Sequence, residues 1–276
     1  MEQKFITGKG IELFYLEKNP DAEKTIFFIH GNSGSSNSWN GQLSDKRFKN
    51  YRLIAIDLPA HGNSGADEKL RYGVMDLAAI MVKVIDNLST GKPYLLVGFS
   101  MGVNLIGEML AYTIKPVGLV FIGASLIGDA FNLGNIFLSD LNTSLLFSED
   151  AAEDELKDFF TKALHNEKTT AVSNMVNDYK KVKPFFRTTL INRGMEGHIS
   201  NEFELVRQYN VPVLIMFGKN EKIVKPFYLD NADLPKWQNT VFKIDDAGHF
   251  LHVDQPQQVN SLILEYAEDI FKDARA

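Results

Sequence analysis

The sequence contains no cysteine. That absence excludes disulfides, cysteine-ligated zinc, iron–sulfur clusters and a thiol nucleophile. It also lacks any hydrophobic run approaching the ~18 residues that a membrane-spanning helix needs. Basic residues are in the minority, 29 Lys+Arg against 35 Asp+Glu for a formal charge of −6. No basic stripe therefore offers a nucleic-acid footprint. The opening Met-Glu-Gln-Lys-Phe lacks the charged-then-apolar layout of a secretory signal. These absences lead to the expectation of a cytoplasmic protein with neither nucleic acid nor membrane as partner. What is present is ordinary globular composition, 45% hydrophobic and 23% charged over 276 residues, which excludes a disordered or fibrous chain.

The chain opens on a hairpin pattern: strand-like Lys4–Thr7 and Ile11–Leu16 flank Gly8-Lys9-Gly10, whose glycines supply turn geometry. Six short β-branched and aromatic runs follow, Ile26–Ile29, Leu53–Ile56, Tyr94–Val97, Val117–Ile122, Val213–Phe217 and Thr240–Ile244. Most are apolar without alternation, the mark of strands buried on both faces. Helical periodicity lies between them, over Val74–Leu88, Met101–Ile114 and Val259–Phe271. Strands alternating with helices predict an α/β fold with a mostly parallel sheet covered on both faces. One interval breaks the rhythm: roughly 90 residues separate the strands ending near Ile122 and starting near Val213, far more than a crossover needs. It carries helical patterns at Glu153–Leu164 and Thr169–Tyr179, and Phe131, Phe137, Phe147, Phe159, Phe160, Phe185, Phe186 and Phe203. The expected organisation is a core over 1–123 and 209–276, with a helical cap over 124–208 inserted between two strands.

Gly98-Phe99-Ser100-Met101-Gly102 follows a strand and opens a helix, the setting a nucleophile elbow requires. A sharp turn there exposes the Ser100 hydroxyl, and the helix start adds positive potential and the Met101 N–H for a developing oxyanion. A serine hydroxyl needs a base. His249, in Asp246-Ala247-Gly248-His249-Phe250, follows the last strand and so sits at the sheet edge where open α/β folds keep their sites. Glu221 is the first acidic residue beyond Val213–Phe217 and could orient the imidazole; Asp129, Asp245 and Asp246 are the alternatives. His30-Gly31-Asn32-Ser33-Gly34 supplies a second oxyanion donor, the Asn32 N–H. His30 and His61 read as loop-holding histidines, and His252 as a capping or surface one. His165 and His198 have no metal-ligand spacing, so neither a metal nor another cofactor is expected. Phe99, Phe131, Phe159 and Phe250 are the candidate pocket residues.

With these stretches in place, the chain resembles the α/β-hydrolase superfamily over nearly its whole length. The His-Gly loop, Asp57-Leu58-Pro59-Ala60-His61-Gly62-Asn63-Ser64, the elbow and the Gly-His loop occur in that family's order. More narrowly, His30-Gly31-Asn32-Ser33 with Ser35-Ser36, the Leu-Phe-Ser-Glu-Asp run at 146–150 and Glu221 as acid resemble the α/β-hydrolase-type N-acyl-homoserine lactone lactonases. The resemblance implies a Ser100–His249–Glu221 triad, Asn32 and Met101 at the oxyanion hole and a cap over an acyl chain, with Phe159 where those lactonases place a Tyr. It implies a small ester or lactone substrate cleaved through an acyl-enzyme. General carboxylesterase activity and a slow-turnover ligand sensor stay open as rival readings. Ser100 disfavours dehalogenase or epoxide hydrolase chemistry, in which the elbow carries Asp.

Overall fold

The computed structural model describes residues 1–128, 134, 136–166 and 168–273. Asp129 and Phe131 lie outside the described residues. Strands β1 (Glu2–Gly8) and β2 (Ile11–Lys18) form an antiparallel hairpin. Lys9 and Gly10 have φ of 48° and 84° at its turn, the two positive values that match a tight turn to strand twist. Then come β3 (Lys24–Ile29), β4 (Tyr51–Ile56), β5 (Tyr94–Phe99), β6 (Gly118–Ile122), β7 (Val213–Gly218) and β8 (Lys236–Ile244). One sheet results, in the order β1-β2-β4-β3-β5-β6-β7-β8. It is parallel from β4 onward across the sheet, and antiparallel only through β1 and β2. Every residue of β5, β6 and β7 is buried, which explains their unbroken apolar runs. At β8, Gln238 and Asn239 take φ of 54° and 52°, where the register against β7 shifts between Val213 and Ile215.

Helices cover both faces. The short α1 (Asn40–Leu43) follows a 3-10 turn at Ser36–Trp39, and α2 (Val74–Ser89) and α3 (Met101–Met109) come next. Helix α3 ends earlier than the periodicity through Ile114 predicts. Beyond Met109 the Ala111 and Tyr112 amides donate three residues back, to the Glu108 and Met109 carbonyls, so the end of the helix tightens and stops. Between β6 and β7 lie a 3-10 turn at Thr143–Phe147 and α4 (Glu153–Ala163), α5 (Thr169–Lys181), α6 (Phe185–Met195) and α7 (Glu202–Tyr209). Helix α7 packs on α3, so the expected boundary after 208 falls inside a helix that covers the sheet. The short α8 (Leu251–Asp254) and long α9 (Pro256–Asp273) close the chain. One apolar core joins α2, α3 and the inserted helices to one sheet face, and a second joins α1, α9 and the opposite face. Among the described residues no helix is long and apolar enough to cross a membrane.

Candidate active site

Ser100 stands at the carboxyl end of β5, immediately before α3, with φ 50° and ψ −122°. A non-glycine residue holds so rare a conformation only where its surroundings enforce it. Here the Ser100 amide donates to the Ile122 carbonyl at 2.9 Å, and the Ser100 carbonyl accepts from the Val103 amide at 2.8 Å. The flanking glycines are equally constrained. A Cβ on Gly98 would stand 2.7 Å from the Gly102 carbonyl oxygen, and one on Gly102 would run into the Ile29 carbonyl. The elbow therefore packs against β3 with backbone touching backbone.

His249 follows β8 and is tied to α4 through its amide, which donates to the Ala163 carbonyl at 2.9 Å. Its Nδ1 lies 2.8 Å from Glu221 Oε2, and the two side chains are 3% and 0% exposed. Glu221 Oε1 accepts from the Ile223 and Val224 amides at 2.8 and 3.2 Å, so the carboxylate cannot swing away without losing three partners. With Nδ1 donating to Glu221, Nε2 is the nitrogen left free to accept a proton. Asp245 pairs instead with Lys219 at 2.5 Å, and Asp246 is exposed near His165. Ser100 and His249 are both held at the end of β6: the Ile122 carbonyl accepts from the Ser100 amide, and the next residue, Gly123, adjoins the imidazole. A Cβ there would be 3.1 Å from His249 Cε1.

The loop after β3 comes equally close. A Cβ on Gly31 would stand 3.1 Å from Ser100 Cβ, and the Asn32 side chain donates to the Leu146 carbonyl at 2.6 Å. Asn32, Ser100 and Met101 share a cavity with about 660 Å³ of empty space, counting the part open to solvent. Ile127, Ile136, Phe137, Leu146, Phe147 and Leu190 give it apolar walls, and Asn104 and Ser125 a polar patch. Phe99 and Phe250 line a neighbouring cavity of about 850 Å³ with Phe160 and Met175, on the other side of Asn32. Phe159 lines neither of these two cavities. It packs edge-on against Phe160, ring centroids 5.5 Å apart, because consecutive helical residues point about 100° apart and Phe160 takes the inward direction.

His30 and His61 hold loops, as expected of them. His30 Nε2 accepts from the Leu58 amide at 3.0 Å, and His61 Nε2 accepts from the Ser33 amide at 3.3 Å. Burial pushes both imidazoles below the usual histidine range. His252 departs from the expected surface position. Its ring is fully buried between Trp39 and Phe99, at 4.6 and 4.5 Å, and burial pushes its pKa down to about 3. A further acidic residue escapes sequence reasoning altogether. Glu202, at the start of α7, is fully buried; its Oε2 accepts from Asn104 Nδ2 at 2.7 Å and the Ile127 amide at 2.8 Å. Asn104 also donates to the Ser125 carbonyl and accepts from the Ser125 hydroxyl, both at 2.6 Å. Burial holds the Glu202 carboxyl well above the usual carboxylate range. Its only sequence signal is an Asn-Glu pair at a helix start, which reads as capping.

A family model described as alpha/beta hydrolase fold matches residues 24–256. The uncharacterized hydrolase YugF of Bacillus subtilis (strain 168) is 24% identical over 277 residues, covering 94% of this chain and 96% of its own. An uncharacterized carboxylesterase, nap, of the same organism is 24% identical over 287 residues, covering 95% and 85%. Among solved structures, a mutant of the N-acyl homoserine lactonase AidH complexed with N-hexanoyl homoserine lactone superposes with a TM-score of 0.89. Its identity is 20%, over 99% of both chains. The esterase RhEst1 from Rhodococcus sp. ECU1013 superposes at 0.81, with 21% identity over 98% of this chain and 100% of that one.

Proposed function

Because the chain belongs to the α/β-hydrolase fold family, we propose that it hydrolyses a carboxylic ester or lactone through an acyl-enzyme on Ser100. The observation that carries this reading is the buried 2.8 Å contact of His249 with Glu221, and the positive φ of Ser100 at the start of α3 supports it. His249 Nε2 takes the hydroxyl proton as Ser100 Oγ bonds to the carbonyl carbon. Glu221 keeps the imidazole oriented and offsets the charge that forms on it. The Asn32 and Met101 amides hold the oxyanion, and one such donor lowers the barrier by about 3 kcal/mol. Collapse breaks the acyl C–O bond, and His249 gives the proton to the leaving alkoxide. Water, deprotonated by the same nitrogen, then frees the acid and restores Ser100.

The segment from Thr143 to Met195 acts as a lid over an acyl chain, with α7 left to the core. The apolar cavity beside Ser100 suits that chain, and the likeness to a lactonase bound to N-hexanoyl homoserine lactone makes an N-acyl-homoserine lactone the substrate we favour. In a lactone the leaving alkoxide stays tethered, so water must arrive before the ring recloses. The reaction needs no cofactor, and the enzyme is read as cytoplasmic. A general carboxylesterase is the second reading, supported by the likeness to RhEst1. A panel of homoserine lactones of graded acyl length, followed by the mass gain of ring opening, separates the two. Ring opening is expected; rapid cleavage of p-nitrophenyl esters with every lactone intact would leave only the esterase. Ser100→Ala should abolish labelling by a fluorophosphonate, and Glu221→Gln should lower kcat by roughly 10³- to 10⁴-fold. Near-normal kcat in Glu221→Gln would remove that residue from the mechanism.

A further inference from the structure

The loop that carries Asn32 contains an unfavourable backbone choice. Gly31 to Gly34 form a turn closed by the Gly34 amide donating to the Gly31 carbonyl at 3.2 Å, and Ser33 in its third position has φ 61°. Glycine or asparagine is the usual residue at such a position. What the serine supplies is its hydroxyl, which donates to Asn32 Oδ1 at 3.0 Å and accepts from Arg187 Nε at 3.0 Å. Arg187 belongs to α6, in the lid, more than a hundred and fifty residues further along the chain in the same numbering. It is 2% exposed and has no carboxylate hydrogen-bond partner among the described residues. Its Nη2 donates to the Tyr179 carbonyl at 2.6 Å, and its guanidinium lies over the Tyr179 ring, 3.6 Å from the centroid. Tyr179 is anchored in turn, its hydroxyl sharing its one proton between the Leu145 and Ser148 carbonyls, at 2.8 and 2.5 Å.

Two more bonds run from the lid to the same loop. The Asn32 amide group donates to the Leu146 carbonyl, and the Ser35 hydroxyl donates to Asp178 Oδ2 at 2.7 Å. Asn32, Ser33 and Ser35 are therefore all gripped from above, while His61 grips Ser33 from below. A buried guanidinium is costly unless its donors are used. Here one donor goes to the Tyr179 carbonyl and another to the Ser33 hydroxyl, which in turn holds the side chain of its neighbour Asn32.

We propose that Arg187 is a positioning residue: acting through the Ser33 hydroxyl, it fixes the Asn32 peptide as oxyanion donor, so that the donor is in place only when the lid is seated. The inference rests on the serine-hydrolase reading above and adds to it a dependence of the chemical step on lid docking.

Ser33→Gly is the decisive variant, because glycine suits the positive φ and the enzyme should still fold. Steady-state kinetics on a short p-nitrophenyl ester would be compared with thermal melting. Expected is a fall in kcat of ~10-fold or more, with KM within about threefold and a Tm lowered by no more than a few degrees, because the unused Arg187 Nε donor is partly offset by the relief of backbone strain at the positive φ. Arg187→Ala should lower kcat similarly, with partial recovery in millimolar guanidinium. The double variant should be no slower than the worse single, as both act through one contact. A folded Ser33→Gly enzyme with wild-type kcat would overturn the relay while leaving the serine-hydrolase reading intact. So would an Arg187→Ala defect confined to Tm or KM. A wild type that neither turns over any ester or lactone nor reacts with a fluorophosphonate would overturn both.

Discussion

Glu202 is an acid sealed under the polar patch of the Ser100 cavity, and its oxygens see no solvent. Its raised pKa means that the folded protein keeps this proton at pH values where the unfolded chain has released it. Stability from this group is thus complete below the unfolded value of about 4.3 and is lost as pH rises toward the folded one. Glu202→Gln removes the titration while keeping the shape. The difference in Tm between the Gln variant and wild type should grow in the variant's favour from pH 5 to pH 8. A difference that stays flat would mean that the carboxyl is already ionised in the fold. At this scale the sequence speaks clearly for Ser100, His249 and Glu221. Each sits in a loop directly after a strand, and chain order alone sets them along one sheet edge. It is silent on the roles of Arg187 and Glu202, whose partners Ser33 and Asn104 lie far away along the chain, and on which of the cap phenylalanines faces a cavity. A one-residue choice between Phe159 and Phe160 depends on how α4 rolls onto the sheet, and helical spacing makes both buried.

Among elements, the crossing of β3, β5 and α3 is the least forgiving. Gly102 lies against the Ile29 and His30 carbonyls, so a methyl there must push backbone rather than a side chain. Gly102→Ala should cost about 3 kcal/mol or more, and lower Tm by roughly 6–10 °C for a chain of this size. Calorimetry would check it, and an unchanged Tm would show that α3 can slide away from β3. The buried strands were legible because both faces are apolar, and the long amphipathic helices α2, α5 and α9 because one stripe is. Helix α6 was not, since its buried face includes Arg187 beside Phe186 and Leu190 and leaves no clean apolar stripe. The short α1 and α8 were missed as well. Each is a single turn of helix, too brief for any periodicity to register.

For the whole molecule, buried titratable groups set a pH range of stability. His30, His61 and His252 are fully buried with lowered pKa values, so the unfolded chain takes up protons that the fold refuses. Their contribution is intact above the unfolded histidine value of about 6.5 and disappears as pH falls toward the folded values. The slope reaches up to ~4 kcal/mol per pH unit if all three titrate. Glu108, Asp178 and Glu202 have raised values and act in the opposite sense, losing their contribution as pH rises above the unfolded carboxylate value of about 4 and so offsetting part of the histidine slope in the acidic range. Tm should therefore decline below about pH 6, where the three buried histidines outweigh the carboxyls that offset them; a level Tm from pH 7 to pH 5 would contradict it. The kink at Gln238 and Asn239 in β8 reaches beyond the single chain. A sheet rim with a straight row of free amides and carbonyls invites another copy to add a strand. Here one rim is bent and carries Lys236 and Lys243, and the other, β1, carries Glu2 and Lys4. Stacking rim to rim would bury those charges against a misaligned ladder, which disfavours extension of the sheet by a second copy.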